Sequence, residues 1–271
     1  MTPLLAALSV TAVPTLVALA VGALALWGVS LARKDASIAD PFWAPAFLLI
    51  AVVSLLAHGP EGLGSTDPLS RAHIVLACVA MWAVRLGRHL LRRNLGHGED
   101  PRYAAMRAGH GARFWWVSLF TVFLLQAGLA WGVSLPVQAA IAAPAPLGPL
   151  DVIAAALFLF GFGCEAMADV QLVRFRADPA SRGKVLDTGL WRYSRHPNYF
   201  GNAVMWWGLG LFGVAVGAWP ALVGPLVMTV LLLKVSGVAL LERDIGQRRP
   251  DYARYIRRTS AFVPWFPKAD A

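Results

Sequence analysis

Asp187-Thr188-Gly189-Leu190-Trp191-Arg192-Tyr193-Ser194-Arg195-His196-Pro197-Asn198-Tyr199-Phe200-Gly201-Asn202 stands between two long apolar runs. It gathers Arg192, Arg195 and His196 with aromatic rings, a proline, two asparagines and glycines. No other stretch of the chain has this density of side chains that bind or do chemistry. A polar cluster at the mouth of an apolar bundle is where an anionic ligand is held. A loop that is basic for topology alone needs Arg, but it has no use for His-Pro-Asn-Tyr. The flanking runs decide the fold, because each approaches the roughly 20 residues that cross a bilayer as helix.

Composition agrees. Of 271 residues, 58% are hydrophobic and 14% charged, whereas a soluble domain carries about a quarter charged residues. Mean hydropathy is +0.58. These values predict an all-α, polytopic integral membrane protein, formed as one domain over residues 1–271. The formal net charge of +9 would suggest nucleic acid in a soluble protein. Here it is read as Arg and Lys gathered in cytoplasmic loops, so no nucleic-acid partner is expected. Cys78 and Cys164 both lie inside apolar segments, which argues against a disulfide or metal framework. The N-terminus lacks a basic n-region and a clear cleavage site, and is read as the first span.

Seven spans are expected, at 8–32, 42–58, 70–91, 113–135, 149–173, 198–217 and 219–241. The connections between them alternate in charge. The stretches 58–70 and 134–148 contain no Lys or Arg, whereas 88–113, 174–195 and the tail from Arg243 are basic. The positive-inside rule then puts the N-terminus outside and the C-terminus in the cytoplasm. Any site for a charged cofactor faces the cytoplasm.

Polar groups inside a bilayer are costly, and each suggests a function. Glu165, Asp169 and Arg176 fall at i, i+4 and i+11, on one face of the fifth span. Such a stripe should look into a polar cavity. In Asp35-Ala36-Ser37-Ile38-Ala39-Asp40-Pro41-Phe42-Trp43, Asp40 reads either as a helix N-cap or as a carboxyl at the rim of that cavity. The tail is basic and aromatic. Tyr252 and Tyr255 with its Arg residues suit a nucleotide clamp or a helix lying on anionic lipid.

The segment from Lys184 to Gly201 resembles the hallmark of bacterial membrane proteins of the steroid 5-alpha-reductase family. The stretch from Asp35 to Trp43, the loop Glu99-Asp100-Pro101-Arg102-Tyr103 and the ending from Thr259 to Pro267 fit the same branch. The resemblance implies a seven-helix fold, with NADPH entering from the cytosolic side and a steroid-like substrate between the helices. Isoprenylcysteine carboxyl and phospholipid methyltransferases carry a similar Arg-His-Pro-x-Tyr-x-Gly and bind S-adenosylmethionine. Glu242 and the Tyr252–Tyr255 pair resemble their tail, although those enzymes show two adjacent Glu where this chain has Glu242-Arg243. The three further segments favour the reductase.

By that resemblance Asn198 falls on the nicotinamide-contacting Asn, and Asp169 and Arg176 on a cofactor-binding Asp and Arg. Arg174, Lys184, Arg192, Arg195 and Arg243 offer cations for the pyrophosphate and 2′-phosphate. Tyr193, His196, Tyr199, Glu242, Tyr252 and Tyr255 complete the expected cofactor site. The family grips its substrate carbonyl with a Glu–Tyr pair. Asp40 lies near the Glu position, but the third span has no Tyr for the partner; Trp82 or Arg85 stands nearby, and Trp43 joins the substrate set. The implied reaction reduces the C4–C5 double bond of a 3-oxo-Δ4 steroid or similar enone, with Asp40, Asn198 and Tyr193 as catalytic groups. Asp40 is expected to act as an acid kept protonated by an apolar setting. The implied partners are a hydrophobic enone and the bilayer, and the protein is expected to be monomeric. A lipid-binding or scaffold protein is the remaining reading, and it leaves the His-Pro-Asn-Tyr cluster without a use.

Overall fold

The computed structural model describes residues 2–58, 70–94, 96, 98–143, 145–235, 238, 242 and 250–268. Among these residues the chain is helical and contains no strand. Among the described residues five helical stretches are long and apolar enough to cross a membrane: Pro3–Arg33, Ala36–Ala57, Arg71–Asn94, Pro101–Val133 and Pro149–Ala177. They coincide with the first five expected spans.

α1 (Pro3–Arg33) opens with Thr2 accepting from the Leu5 N–H and with proline in its first turn, where a missing donor costs nothing. It stops at Lys34, whose left-handed φ of 52° lets its N–H reach the Ser30 and Leu31 carbonyls. A 3₁₀ turn, Ala36–Phe42, is capped by Asp35 through the Ser37 N–H and leads into α2 (Trp43–Ala57). Asp40 caps nothing, since no side chain caps the start of α2. α3 (Arg71–Asn94) is followed by α4 (Pro101–His110), which Asp100 and Pro101 initiate. Then come α5 (Phe114–Ser118), a π-helical stretch at Leu119–Leu124, α6 (Leu125–Val133) and α7 (Leu135–Ala142). α8 (Pro149–Ala177) and α9 (Pro197–Ala215) flank the polar segment. α10 (Val223–Val230) ends in a second π-helical stretch, Leu231–Val235. α11 (Pro250–Arg258) is the basic tail helix.

The chain divides into two compact units, Met1–Asp151 with Phe212–Val223, and Val152–Leu211 with Gly224–Ala271. In the first, Phe47, Ile50, Val75, Val79 and Trp82 form a fully buried centre. Several buried polar groups there are matched. Thr11 donates to Gln138 at 2.9 Å, Gln138 to Ser134 at 2.9 Å, and Trp131 to Thr15 at 3.1 Å. Arg71, only 3% exposed, holds Asp151 through both carboxylate oxygens at 2.6 and 2.7 Å. A buried charge without such pairing would be strongly destabilising.

In the second unit α8 and α9 meet backbone to backbone. A methyl group on Gly201 would lie 2.5 Å from the Glu165 nitrogen, and one on Gly208 2.6 Å from that of Phe158. Glycine is required at both places because only a bare Cα admits this approach.

Candidate functional site

Each unit contributes a polar constellation. In the first, two loops are stitched around Asp40. Glu99 accepts from the Ala36 N–H at 2.8 Å and from Nη2 and Nε of Arg107 at 2.8 and 2.9 Å. The Arg107 hydrogen bond holds the Glu99 carboxyl below its usual range against the opposing effect of burial. Arg107 in turn covers the Phe114 ring at 4.5 Å. This frame brings Tyr103, which is 7% exposed, to Asp40. Its hydroxyl donates to Asp40 Oδ1 at 2.6 Å, while Arg102 donates to Oδ2 at 2.7 Å. The apolar setting expected for Asp40 is therefore absent, because a guanidinium sits against its carboxyl. Gln126 Nε2 points to the Tyr103 hydroxyl at 3.4 Å.

Gln126 also lines a cavity of about 400 Å³ whose other walls include Leu26, Ala39, Phe42, Trp43, Leu49 and Phe123. Trp43 thus falls in the cavity wall, as expected of a substrate residue. Trp82 does not line it; it packs edge-on behind Phe47, with ring centroids 5.5 Å apart. Arg85 is half-buried on the same helix, and it too stands outside the lining. The π-helical stretch ends two residues before Gln126. Such stretches re-aim the side chains that follow and recur at functional sites.

In the second unit the stripe on α8 meets α9. Asn198 donates to Asp169 at 3.1 Å, and Asn202 to Glu165 at 3.3 Å. His196 stacks flat on Tyr199, with centroids 5.6 Å apart. The approach to α9 is fixed from behind. Gly189, at φ +59°, packs on Gln171, which accepts from the Leu190 N–H at 3.0 Å. Trp191 donates its indole N–H to the Ala168 carbonyl at 3.1 Å.

Arg195 is committed internally. Nε and Nη2 hold Glu242 at 2.7 and 2.8 Å, and Nη1 donates to the Ile256 and Thr259 carbonyls. His196 Nε2 contacts Glu242 at 2.9 Å. Burial alone would raise Glu242, but the hydrogen bonds and charges of His196 and Arg195 outweigh it and hold the carboxyl at about 2. Tyr255 donates to the Trp191 and Ser194 carbonyls and meets Tyr252 edge-on at 5.5 Å. Burial, followed by the nearby Glu242, pushes the Tyr252 phenol up to about 12.

Arg195, Glu242 and Tyr255, expected to hold a cofactor, thus serve first as the latch of the tail. Arg174, Arg176, Lys184, Arg192 and Tyr193 present exposed side chains; Tyr193 lies under Arg192 at 6.0 Å. Arg243 lies outside the described residues.

Sequence reasoning missed three residues: Tyr103, Gln126 and Asn202. Tyr103 stood inside the quoted Glu-Asp-Pro-Arg-Tyr loop, and Asn202 falls at i+4 from Asn198 as Glu165 falls at i−4 from Asp169. Either spacing was a usable signal.

Residues 26–259 match the profile of a family described as a protein of unknown function, DUF1295. An uncharacterized protein of Schizosaccharomyces pombe is 27% identical over 271 residues, covering 88% of this chain and 75% of that protein. No solved structure matches the chain.

Proposed function

The chain belongs to the DUF1295 family, and we propose that it is a membrane-embedded oxidoreductase that reduces the carbon–carbon double bond of a 3-oxo-Δ4 steroid or similar enone with NADPH. DUF1295 is related to steroid 5-alpha-reductase-like membrane proteins, which supports the hallmark resemblance. The observation that carries the reading is the relay Asp40–Tyr103–Gln126 ending at the wall of an apolar cavity. An enone is an apolar body with one hydrogen-bond acceptor, and this cavity matches it. The missing tyrosine of the carbonyl-gripping pair is then Tyr103, supplied by the first turn of α4 and not by the third span. Transfer of a methyl group to a lipid has no need of a carboxyl–phenol pair beside an apolar cavity.

Bound NADPH would supply the hydride that adds to the β-carbon. As it adds, negative charge develops on the substrate oxygen. The chain's part is to place a donor there: the Gln126 carboxamide at the wall, oriented from behind by the Tyr103 hydroxyl, which accepts from it at 3.4 Å and gives its own hydrogen to Asp40. One preorganised donor of this kind is worth about 3–4 kcal/mol. Asp40, held by Arg102, orients the phenol. In the second unit Asn198 and Asp169 would position the nicotinamide end. Arg174, Arg176, Lys184 and Arg192 keep their charge exposed for phosphates, and Tyr193, His196, Tyr199 and Tyr252 would border the nucleotide.

We place the cofactor face in the cytoplasm. α9 and the shorter apolar run Trp219–Val235, of 19 and 17 residues, supply the sixth and seventh spans, at about 1.5 Å per residue. The test is ligand stabilisation of the detergent-solubilised protein. NADPH should raise its melting temperature, by about 2.7 kcal/mol of stability at 100 times the dissociation constant, and S-adenosylmethionine should not. Stabilisation by S-adenosylmethionine alone would replace the reductase by a methyltransferase.

A further inference from the structure

The tail is tied to the entrance of α9. The Arg195 N–H donates to the Ser260 carbonyl at 2.8 Å and the Trp265 N–H to that of Tyr193 at 2.9 Å. The Ser194 hydroxyl donates to the Phe262 carbonyl at 2.8 Å. Residues 260–265 therefore run beside 193–195, just ahead of the first turn of α9 at Pro197. That register sets their depth. Read as a span, α9 has 19 residues and a length of about 28 Å, close to the roughly 30 Å of the hydrocarbon core. Its start then lies at the headgroup level.

At that level the tail turns apolar side chains outward. Val263 is 59% exposed, Trp265 71% and Phe266 75%. They are held in place, not frayed. Phe266 meets Tyr193 edge-on at 6.1 Å and Trp265 at 6.4 Å, while the Lys268 N–H donates to the Arg258 carbonyl at 2.9 Å. Exposed cations stand on the same tail and just ahead of Tyr193: Arg254, Arg257, Lys268 and Arg192. A contiguous exposed aromatic patch marks a binding surface. Aromatic rings settle at the membrane interface, and clustered Lys and Arg attract anionic lipid. One partner meets both demands.

We propose that the segment from Val263 to Lys268 is an interfacial anchor, which seats Trp265 and Phe266 among the headgroups and selects anionic phospholipid. It rests on α9 as a membrane span, and not on the redox reading.

The full chain would be reconstituted into vesicles of phosphatidylcholine, with or without phosphatidylglycerol, whose acyl chains are brominated near the headgroup. The emission of Trp265 is the difference between the parent and Trp265→Phe. It should be quenched by brominated lipid, roughly twofold more when phosphatidylglycerol is present. The double variant Arg254→Gln/Arg257→Gln should lose that increment. Equal quenching in both vesicles would overturn the anionic preference. Emission reached by aqueous acrylamide but not by bromine would overturn the anchor. Emission shielded from both quenchers would show a protein surface over the patch, and would overturn it also. The difference between the parent and Trp207→Phe, with bromines deep in the chains, checks α9 separately. No quenching there would remove the span, and the proposal with it.

Discussion

Tyr103 donates its hydroxyl to Asp40 at 2.6 Å, across 63 residues of chain. The pair joins the 3₁₀ turn ahead of α2 to the first turn of α4, beside the wall of an apolar cavity. It fixes the phenol, whose oxygen in turn accepts from Gln126 Nε2 at 3.4 Å.

Tyr103→Phe should therefore leave NADPH affinity unchanged. It should lower the single-turnover rate on progesterone or testosterone by up to roughly a hundredfold, the scale of one oxyanion donor, because Gln126 loses the acceptor that orients it. Stopped-flow absorbance of NADPH at saturation measures it. A variant as fast as the parent removes Tyr103 from the chemistry.

Asn198→Ala and Arg176→Ala should fail differently. Asn198 is fixed to Asp169 at 3.1 Å, so its loss should slow hydride transfer more than it weakens binding, because orientation counts most near the transition state. Arg176 stands exposed in the last turn of α8. Its loss should weaken NADPH binding by about 1.5–3 kcal/mol, the range for a charged hydrogen bond. Dissociation constants and single-turnover rates for both variants decide this. The reverse pattern would exchange the two ends of the cofactor.

Gly201→Ala and Gly208→Ala should each destabilise the protein by about 1–3 kcal/mol, as overpacking does. An added methyl group meets backbone at 2.5 and 2.6 Å. Gly163→Ala, with nothing within 4 Å of the new atom, should melt like the parent in detergent. Three similar melting temperatures would contradict the close approach of α8 and α9.

Glu242 gives a pH dependence. Its folded value lies at about 2, against an ordinary 4.5. A depressed carboxylate contributes stability that is complete above the unfolded value and is lost as pH falls through the folded one. The parent should lose stability as pH drops from about 4.5 towards 2. Glu242→Gln should start less stable and show a flatter decline over that window. Parallel melting curves for the two proteins would refute the linkage.

Reporter fusions at Ala142 and after the C-terminal residue should report opposite sides of the membrane, with the C-terminus cytoplasmic. Reports from one side reject the seven-span orientation.

The first five apolar runs were legible because burial in lipid demands length and hydropathy, and both are local properties. The α8 stripe was legible for the same reason, as Glu165 and Asp169 differ by one helical turn. Their partners on α9 needed a packing register that depends on Gly201 and Gly208, and no period in the sequence encodes it. Asp40 was misread as a group in an apolar setting because Arg102 and Tyr103 are brought to it from the first turn of α4, far along the chain. Gln126 was overlooked because a π-helical stretch shifts the face on which it falls. Arg195 was read by charge as a phosphate ligand. Its geometry is that of a latch, since Glu242 and two carbonyls take all three of its nitrogens.

That latch has a consequence in time. Thr259, whose carbonyl completes it, is made 64 residues after Arg195. At about 5–20 residues per second, the ribosome exposes the guanidinium several seconds before its acceptors exist. Through that interval the cation waits at the head of α9. Translation that stops short of Thr259 leaves more than a shortened tail. It leaves the latch around Arg195 incomplete even where Glu242 has already been made.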